Sequence, residues 1–290
     1  MIKKIYAFIL LFTLIVSNVS IAQAKNNKKV SKEDYGIELI EYGKGIHIFK
    51  VMPIFKTSLR KKYCNQVIPY VTESLETNNS IYNNTSCTLC VNGGFFDFKN
   101  NKTVSRVIID GELVADPRDN ESLTGNKSLE PYLEKIYNRG EFRVLKSKNR
   151  IKYDIAYPNS PVEKGYELIH ALQAGPIVLP NLDLEKEFFI VKKDKQIVRQ
   201  SASVLNKKAR TVIGLKNQED NIYIIIIEQN SGMDIFEVKS LCKKLGLTKA
   251  LNLDGGGSTS LHYEDINITS ENKPNGRKIK SFLLINTFKI

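Results

Sequence analysis

Histidine and cysteine are scarce in this chain, and long apolar runs occur only once. Three histidines in 290 residues, His47, His170 and His262, are too few and too dispersed to argue a metal site. The Gly255-Gly256-Gly257 run lacks the G-K-[S/T] that completes a phosphate loop, and residues 258–263 after it read as strand rather than helix. No G-x-S-x-G elbow occurs, because Ser258 is followed by Thr259-Ser260. His262 would share a strand face with Ser258, which leaves a Ser/His pair as a minor alternative. His170, just before the Gln173–Pro176 turn, reads equally as a polar site residue or a core histidine. Internal repeats and an interdomain linker are absent as well.

Four cysteines are present, Cys64, Cys87, Cys90 and Cys242. In an exported protein they can pair, but the spacing does not fix which with which. Cys87-x-x-Cys90 has no second ligand pair at matching spacing for zinc. It also runs into a strand end, whereas a thioredoxin motif opens a helix, so a structural role is the better reading.

The one long apolar run, residues 5–16, follows Lys3 and Lys4 and precedes Ala22-Gln23-Ala24. That order is the n-, h- and c-region of a secretory signal peptide, and the run is short of the ~20 residues a membrane span needs. Residues 1–24 are therefore expected to be a cleaved leader and residues 25–290 a single domain, exported to the periplasm or beyond. The leader holds two lysines and no acid, so the net charge falls from +12 to +10 (12 − 2) on cleavage. The basic residues are scattered in short tracts, residues 25–29 and 146–150 among them, with no basic helix and no aromatic-studded RNA motif. A solvated surface, not a nucleic-acid partner, is the expectation.

What the chain does have is β pattern. Residues 37–40 and 46–49 alternate around Gly43 and Gly45, residues 104–109 and 112–115 flank Asp110-Gly111, and residues 209–215 and 222–228 form a further apolar hairpin. Residues 63–75 read as a helix, followed by a polar loop over 76–86. Residues 116–165 are the least legible stretch, with short strands expected at 142–145 and 151–157. Asp234 caps a helix whose Ile235, Val238, Leu241, Cys242 and Leu245 share one face and whose stop is Gly246. The whole reads as an α+β domain, sheet-dominated, a mixed β-sheet with a few helices.

The chemistry-bearing residues gather at strand ends. Asn92-Gly93-Gly94 with Asp97, Gly175-Pro176, and Asp254-Gly255-Gly256-Gly257-Ser258-Thr259 each follow an apolar run, with Arg210 and Arg277 in segments able to reach them. Adjacent glycines cost backbone entropy, and one return is that their amides can press against a ligand. Carboxylates, a guanidinium fork and exposed amides suit cleavage of an acetal with an anionic leaving group.

Four blocks carry a resemblance. Val91-Asn92-Gly93-Gly94-Phe95-Phe96-Asp97, Gln173-Ala174-Gly175-Pro176, Ala209-Arg210-Thr211-Val212-Ile213-Gly214 and Leu251-Asn252-Leu253-Asp254-Gly255-Gly256-Gly257-Ser258-Thr259 together resemble the phosphodiester glycosidase family, in order from about residue 88 onward. The resemblance implies hydrolysis of a sugar-1-phosphodiester, with a phosphorylated glycan as substrate. It places Asp254 and residues 255–259 at the site centre as catalytic and binding groups, and Arg210 on the phosphate. Asn92, Gly93, Gly94 and Asp97 would line the opposite wall, with Gly175 at the turn and Arg277 a weaker candidate. Thr259-Ser260-Leu261 stands where members often read Ser-Thr-Met. No cofactor is expected; a divalent cation on Asp254 is the less favoured reading. A non-catalytic binder of anionic polysaccharide is the alternative function.

Overall fold

The computed structural model describes residues 35–56, 62–148, 150–217, 219–270 and 275–289. The expected leader lies outside the described residues. The chain folds as α+β with far more strand than helix, as its β-branched and aromatic runs dictate. Every pairing between described strands is antiparallel. Parallel pairs need long crossovers, usually helical, and only one described helix exceeds seven residues.

The first sheet runs, in spatial order, Ile37–Glu41, Ile46–Val51, Ile222–Ile227, Arg210–Leu215, Lys249–Asn252 and Ile177–Leu179. The second runs Ile266–Thr269, Ser260–Tyr263, Leu89–Asn92, Ile279–Lys289, Lys62–Glu76 and Ile54–Lys56. The third runs Glu112–Ala115, Val107–Ile109, Glu167–Gln173, Glu141–Lys146 and Ile151–Ala156. One apolar core draws on all three, with Phe49 and Ile213 from the first, Val91 and Leu283 from the second, and Phe142 and Leu172 from the third. The helix Ile235–Lys244 covers the outer face of the first sheet through Val238, Leu241 and Cys242 against Val212 and Ile225. Its start is a full capping box: Asp234 accepts from Glu237 N, and the Glu237 side chain accepts from Asp234 N.

Two elements differ from the sequence expectation. Lys62–Glu76 is a strand, not a helix, and burial alternates along it at Asn65, Val67 and Pro69. Pro69 is tolerated because the neighbouring strand on that side reaches only to Cys64, so no ladder bond is lost. The polar stretch after it is partly helical, Asn78–Asn84, nucleated by Thr77, whose hydroxyl accepts from Ser80 N at 3.1 Å. The Asp110-Gly111 turn is as expected, with φ of 53° and 83°.

One connection positions everything that follows. Lys249–Asn252 belongs to the first sheet and Ser260–Tyr263 to the second. Residues 253–259 therefore carry the chain across from one sheet to the other.

Candidate active site

The four strand-end motifs meet at that crossing. Asn92, fully buried at the end of its strand, donates from its amide to Asp254 O at 2.7 Å. Its carbonyl accepts from Thr211 Oγ1 at 2.6 Å and from Ser260 N at 3.1 Å. Asp254 N donates to Gly93 O at 3.0 Å, and Leu253 N donates to Thr211 O at 2.8 Å. Gly256 N donates to Ala209 O at 2.8 Å, and Gly175 N donates to Asn252 O at 2.9 Å. One asparagine side chain thus ties three chain segments together around the backbone of Asp254.

The glycines divide into two kinds. Those near Asn92 permit close approach: a Cβ on Gly93 would lie 2.7 Å from Ser281 Oγ, and one on Gly94 would collide with Ser105 Oγ and Gln173 O. Their amides are already engaged, Gly93 N on Ser281 O at 2.8 Å and Gly94 N on Ser281 Oγ at 3.0 Å. Gly175 belongs with them, since a Cβ there would meet Glu187 Oε2 at 2.7 Å. The tract at the crossing is different. Gly255 N turns in on Asp254 Oδ1 at 2.8 Å and Gly256 adopts φ +57°, a conformation that suits glycine. Gly257 N has no partner among the described residues, and a Cβ on Gly257 would overlap the Arg277 guanidinium. The result is one amide without a partner among the described residues, beside one guanidinium, at the edge of the Asp254 site.

Electrostatics single out Asp254. Its carboxyl is half-buried, and burial pushes its pKa up to about 6, opposed by the Ser258 side chain, the Gly255 amide and the Arg277 charge. Ser258 Oγ and Thr259 Oγ1 are buried without a partner in full hydrogen-bonding geometry among the described residues. Such atoms cost about 1–3 kcal/mol each when left unsatisfied. Arg277 itself is exposed, and its guanidinium lies 5.3 Å from the centroid of Phe98, a ring 62% exposed.

Other expected site residues are engaged with the protein's own backbone. Asp97 accepts from Lys99 N at 2.8 Å and its own amide donates to Lys102 O at 2.8 Å, so it shapes the turn that presents Phe98. Arg210 is 1% exposed. It donates from Nε to Met233 O at 2.9 Å and from Nη2 to Ser203 O and Asn206 O at 2.8 and 2.7 Å. Those partners make it an anchor for the loop before its strand. His262 stacks on Tyr82 with centroids 3.8 Å apart and bonds Glu264 O, not Ser258. His170 Nδ1 accepts from Asp110 N at 3.1 Å, a turn contact.

Two contributors had no signal in the sequence. Glu187 is fully buried and accepts from Ile177 N and Gly140 N, both at 2.8 Å; burial raises its pKa to about 7. It sits in a charged run, Asp183 to Glu187, that reads as solvated loop. Arg139 lies over the Phe189 ring at 4.2 Å and donates to Glu187 O at 2.9 Å, closing the wall behind Gly175. Among the described residues no group of three or more His, Cys, Asp and Glu gathers closely enough to hold a metal ion. No helix among them is long and apolar enough to cross a membrane.

Solved structures share this fold at low identity. The catalytic domain of zebrafish N-acetylglucosamine-1-phosphodiester alpha-N-acetylglucosaminidase, auto-inhibited by its pro-peptide, superposes with a TM-score of 0.56 at 14% identity over 85% of each chain. A hypothetical protein from Synechocystis matches with a TM-score of 0.52 at 13% identity, over 86% of this chain and 63% of that one. A protein of Burkholderia pseudomallei, named as a candidate exported protein, matches with a TM-score of 0.56 at 14% identity, over 86% and 74%. No curated protein matches the sequence significantly. The phosphodiester glycosidase family model matches residues 85–286, which span all four strand-end motifs and most of the closing strand. The chain belongs to the phosphodiester glycosidase family.

Proposed function

We propose that this protein is an exported hydrolase that cleaves the glycosidic bond of a sugar-1-phosphodiester in an envelope or extracellular glycan. The mature protein would be one folded unit following a cleaved leader of residues 1–24. The observation that carries the reading is the edge of that site: a Gly257 amide without a partner among the described residues and the exposed Arg277 guanidinium flank the half-buried Asp254 carboxyl. Family membership and the fold shared with the zebrafish enzyme support it.

In this reading Arg277 and the Gly257 amide hold the phosphate, because a guanidinium fork and an amide both donate to its oxygens. Asp254 faces the sugar. Its carboxylate either attacks the anomeric carbon or takes a proton from the attacking water, and both roles need the ionised form. A phosphate leaving group departs as a stable anion, so the site needs no strong general acid. The Ser258 side chain supports the ionised carboxylate from within the protein. Arg210 and Asp97 act by holding backbone, not by touching substrate.

The test is release of free sugar from a panel of α-glycosyl-1-phosphodiesters by the purified protein, beside an active family member. Turnover should rise with pH through about 6 as Asp254 ionises. Asp254→Asn should abolish turnover while substrate affinity stays within a few-fold. Binding without sugar release in the parent protein would assign it instead to recognition of anionic polysaccharide.

A further inference from the structure

The mechanism makes no use of Cys87 and Cys90, yet the structure places them together. Cys90 lies in the Leu89–Asn92 strand, two residues before Asn92, and Cys87 precedes it across a bend at Thr88. Thr88 N donates to Ile285 O at 2.7 Å and its hydroxyl bonds Thr287 Oγ1 at 2.7 Å, which fixes the bend. The turned chain brings both cysteines into one small apolar cluster with Ile81, Phe282 and Leu284. Within that cluster Thr85 Oγ1 donates to Cys87 Sγ at 3.1 Å, and the Cys90 side chain is close enough to Cys87 to lower its pKa.

We infer that Cys87 and Cys90 are a dithiol that closes to an intramolecular disulfide when it meets a thiol-exchanging oxidant, a protein or small-molecule disulfide. The bond would tie the segment after the Asn78–Asn84 helix to the strand that carries Asn92. The two thiols are unequal, which sets the order of exchange. The neighbouring Cys90 and Thr85 side chains hold Cys87 down to about 7, whereas burial raises Cys90 well above its ordinary value. Cys87 is 7% exposed and follows exposed Ser86, whereas Cys90 is fully buried, so Cys87 is the sulfur of the pair nearer the surface. Its thiolate attacks one sulfur of the oxidant, forms a mixed disulfide and expels the other half as a thiol. Cys90 then attacks the Cys87 sulfur and displaces the second half, its proton passing to the departing thiolate. Two protein thiols become one disulfide and the oxidant is reduced to two thiols, so electrons and protons balance. The remaining cysteines are poor competitors: burial raises Cys64 and pushes Cys242 up to about 12.

The inference stands apart from the proposed reaction and is tested without an activity assay. The full-length protein, reduced and then equilibrated in mixtures of reduced and oxidised glutathione, is acid-quenched, alkylated and mapped by peptide mass. Oxidation should remove Cys87 and Cys90 from the alkylated set together, and leave Cys64 and Cys242 alkylated. Before oxidation, a brief pulse of alkylating agent at pH 7 should label Cys87 faster than the fully buried Cys90 and Cys242. Cys87→Ser should leave Cys90 free under all oxidants, and limited proteolysis should cut residues 83–88 faster in the reduced protein than in the oxidised one. Four alkylatable thiols at every oxidant ratio would overturn the inference. So would a disulfide that joins either residue to Cys64 or Cys242.

Discussion

Replacing Asp254 by asparagine removes a charge but keeps an oxygen to accept the Gly255 amide, so it isolates what ionisation costs the fold. In the folded protein burial raises the pKa from 3.8 to about 6. A raised pKa means the folded state holds the proton more tightly than the unfolded chain does. The stability this confers is present below pH 3.8 and is lost as pH climbs through about 6. At about 1.4 kcal/mol per unit the ceiling is about 3 kcal/mol, and solvent screening of a half-buried group cuts it to about 1–2 kcal/mol. Asparagine does not titrate and escapes the loss. It forfeits the attraction to Arg277, but that side chain is exposed and the pair is worth below about 1 kcal/mol. Asp254→Asn should therefore match the parent at pH 4 and exceed it by about 1–2 kcal/mol at pH 7.5. Urea unfolding followed by far-UV circular dichroism at pH 4, 5.5 and 7.5 measures the difference. A gap that does not change with pH, or a variant less stable than the parent at pH 7.5, would refute the reasoning.

Three further substitutions separate binding from support. Gly257→Ala puts a methyl where Arg277 lies; the guanidinium is mobile enough to yield, so stability should change by less than about 0.5 kcal/mol while KM rises about tenfold. Gly94→Ala meets the Gln173 carbonyl, which cannot yield, and should cost about 1–3 kcal/mol in a thermal melt. Arg210→Met strips donors from the carbonyls of Ser203, Asn206 and Met233. Its expected signature is faster limited proteolysis across residues 201–208 and a loss of about 2–4 kcal/mol, with substrate affinity affected only through the loop. A rise in KM on an intact loop would return Arg210 to the phosphate.

Much of this site is legible in the sequence because its constraints are local. An apolar run that stops at Asn92-Gly93-Gly94 or at Asp254-Gly255-Gly256-Gly257 announces a strand end where backbone must pass something closely. What that something is, a ligand or another strand, depends on partners distant in the chain. The two glycines after Asn92 turn out to face Ser281, and the Arg210 guanidinium turns onto backbone carbonyls rather than the edge of the site. Glu187 is hidden for the same reason: nothing in Glu185-Lys186-Glu187 distinguishes the carboxylate that is fully buried from the one that is not. The strand Lys62–Glu76 was masked by a run of residues compatible with either period, and the long pairing with Ile279–Lys289, remote in sequence, decides it.

The passage from one sheet to the next at residues 253–259 has a consequence for how activity is acquired. The asparagine that clamps Asp254 comes from one sheet, and the threonine that orients that asparagine comes from the other. Neither half alone can set the carboxylate. The setting of this carboxylate thus rests on contacts between residues 119 and 162 positions apart, so a lesion in either sheet should disturb it as surely as a change at Asp254 itself.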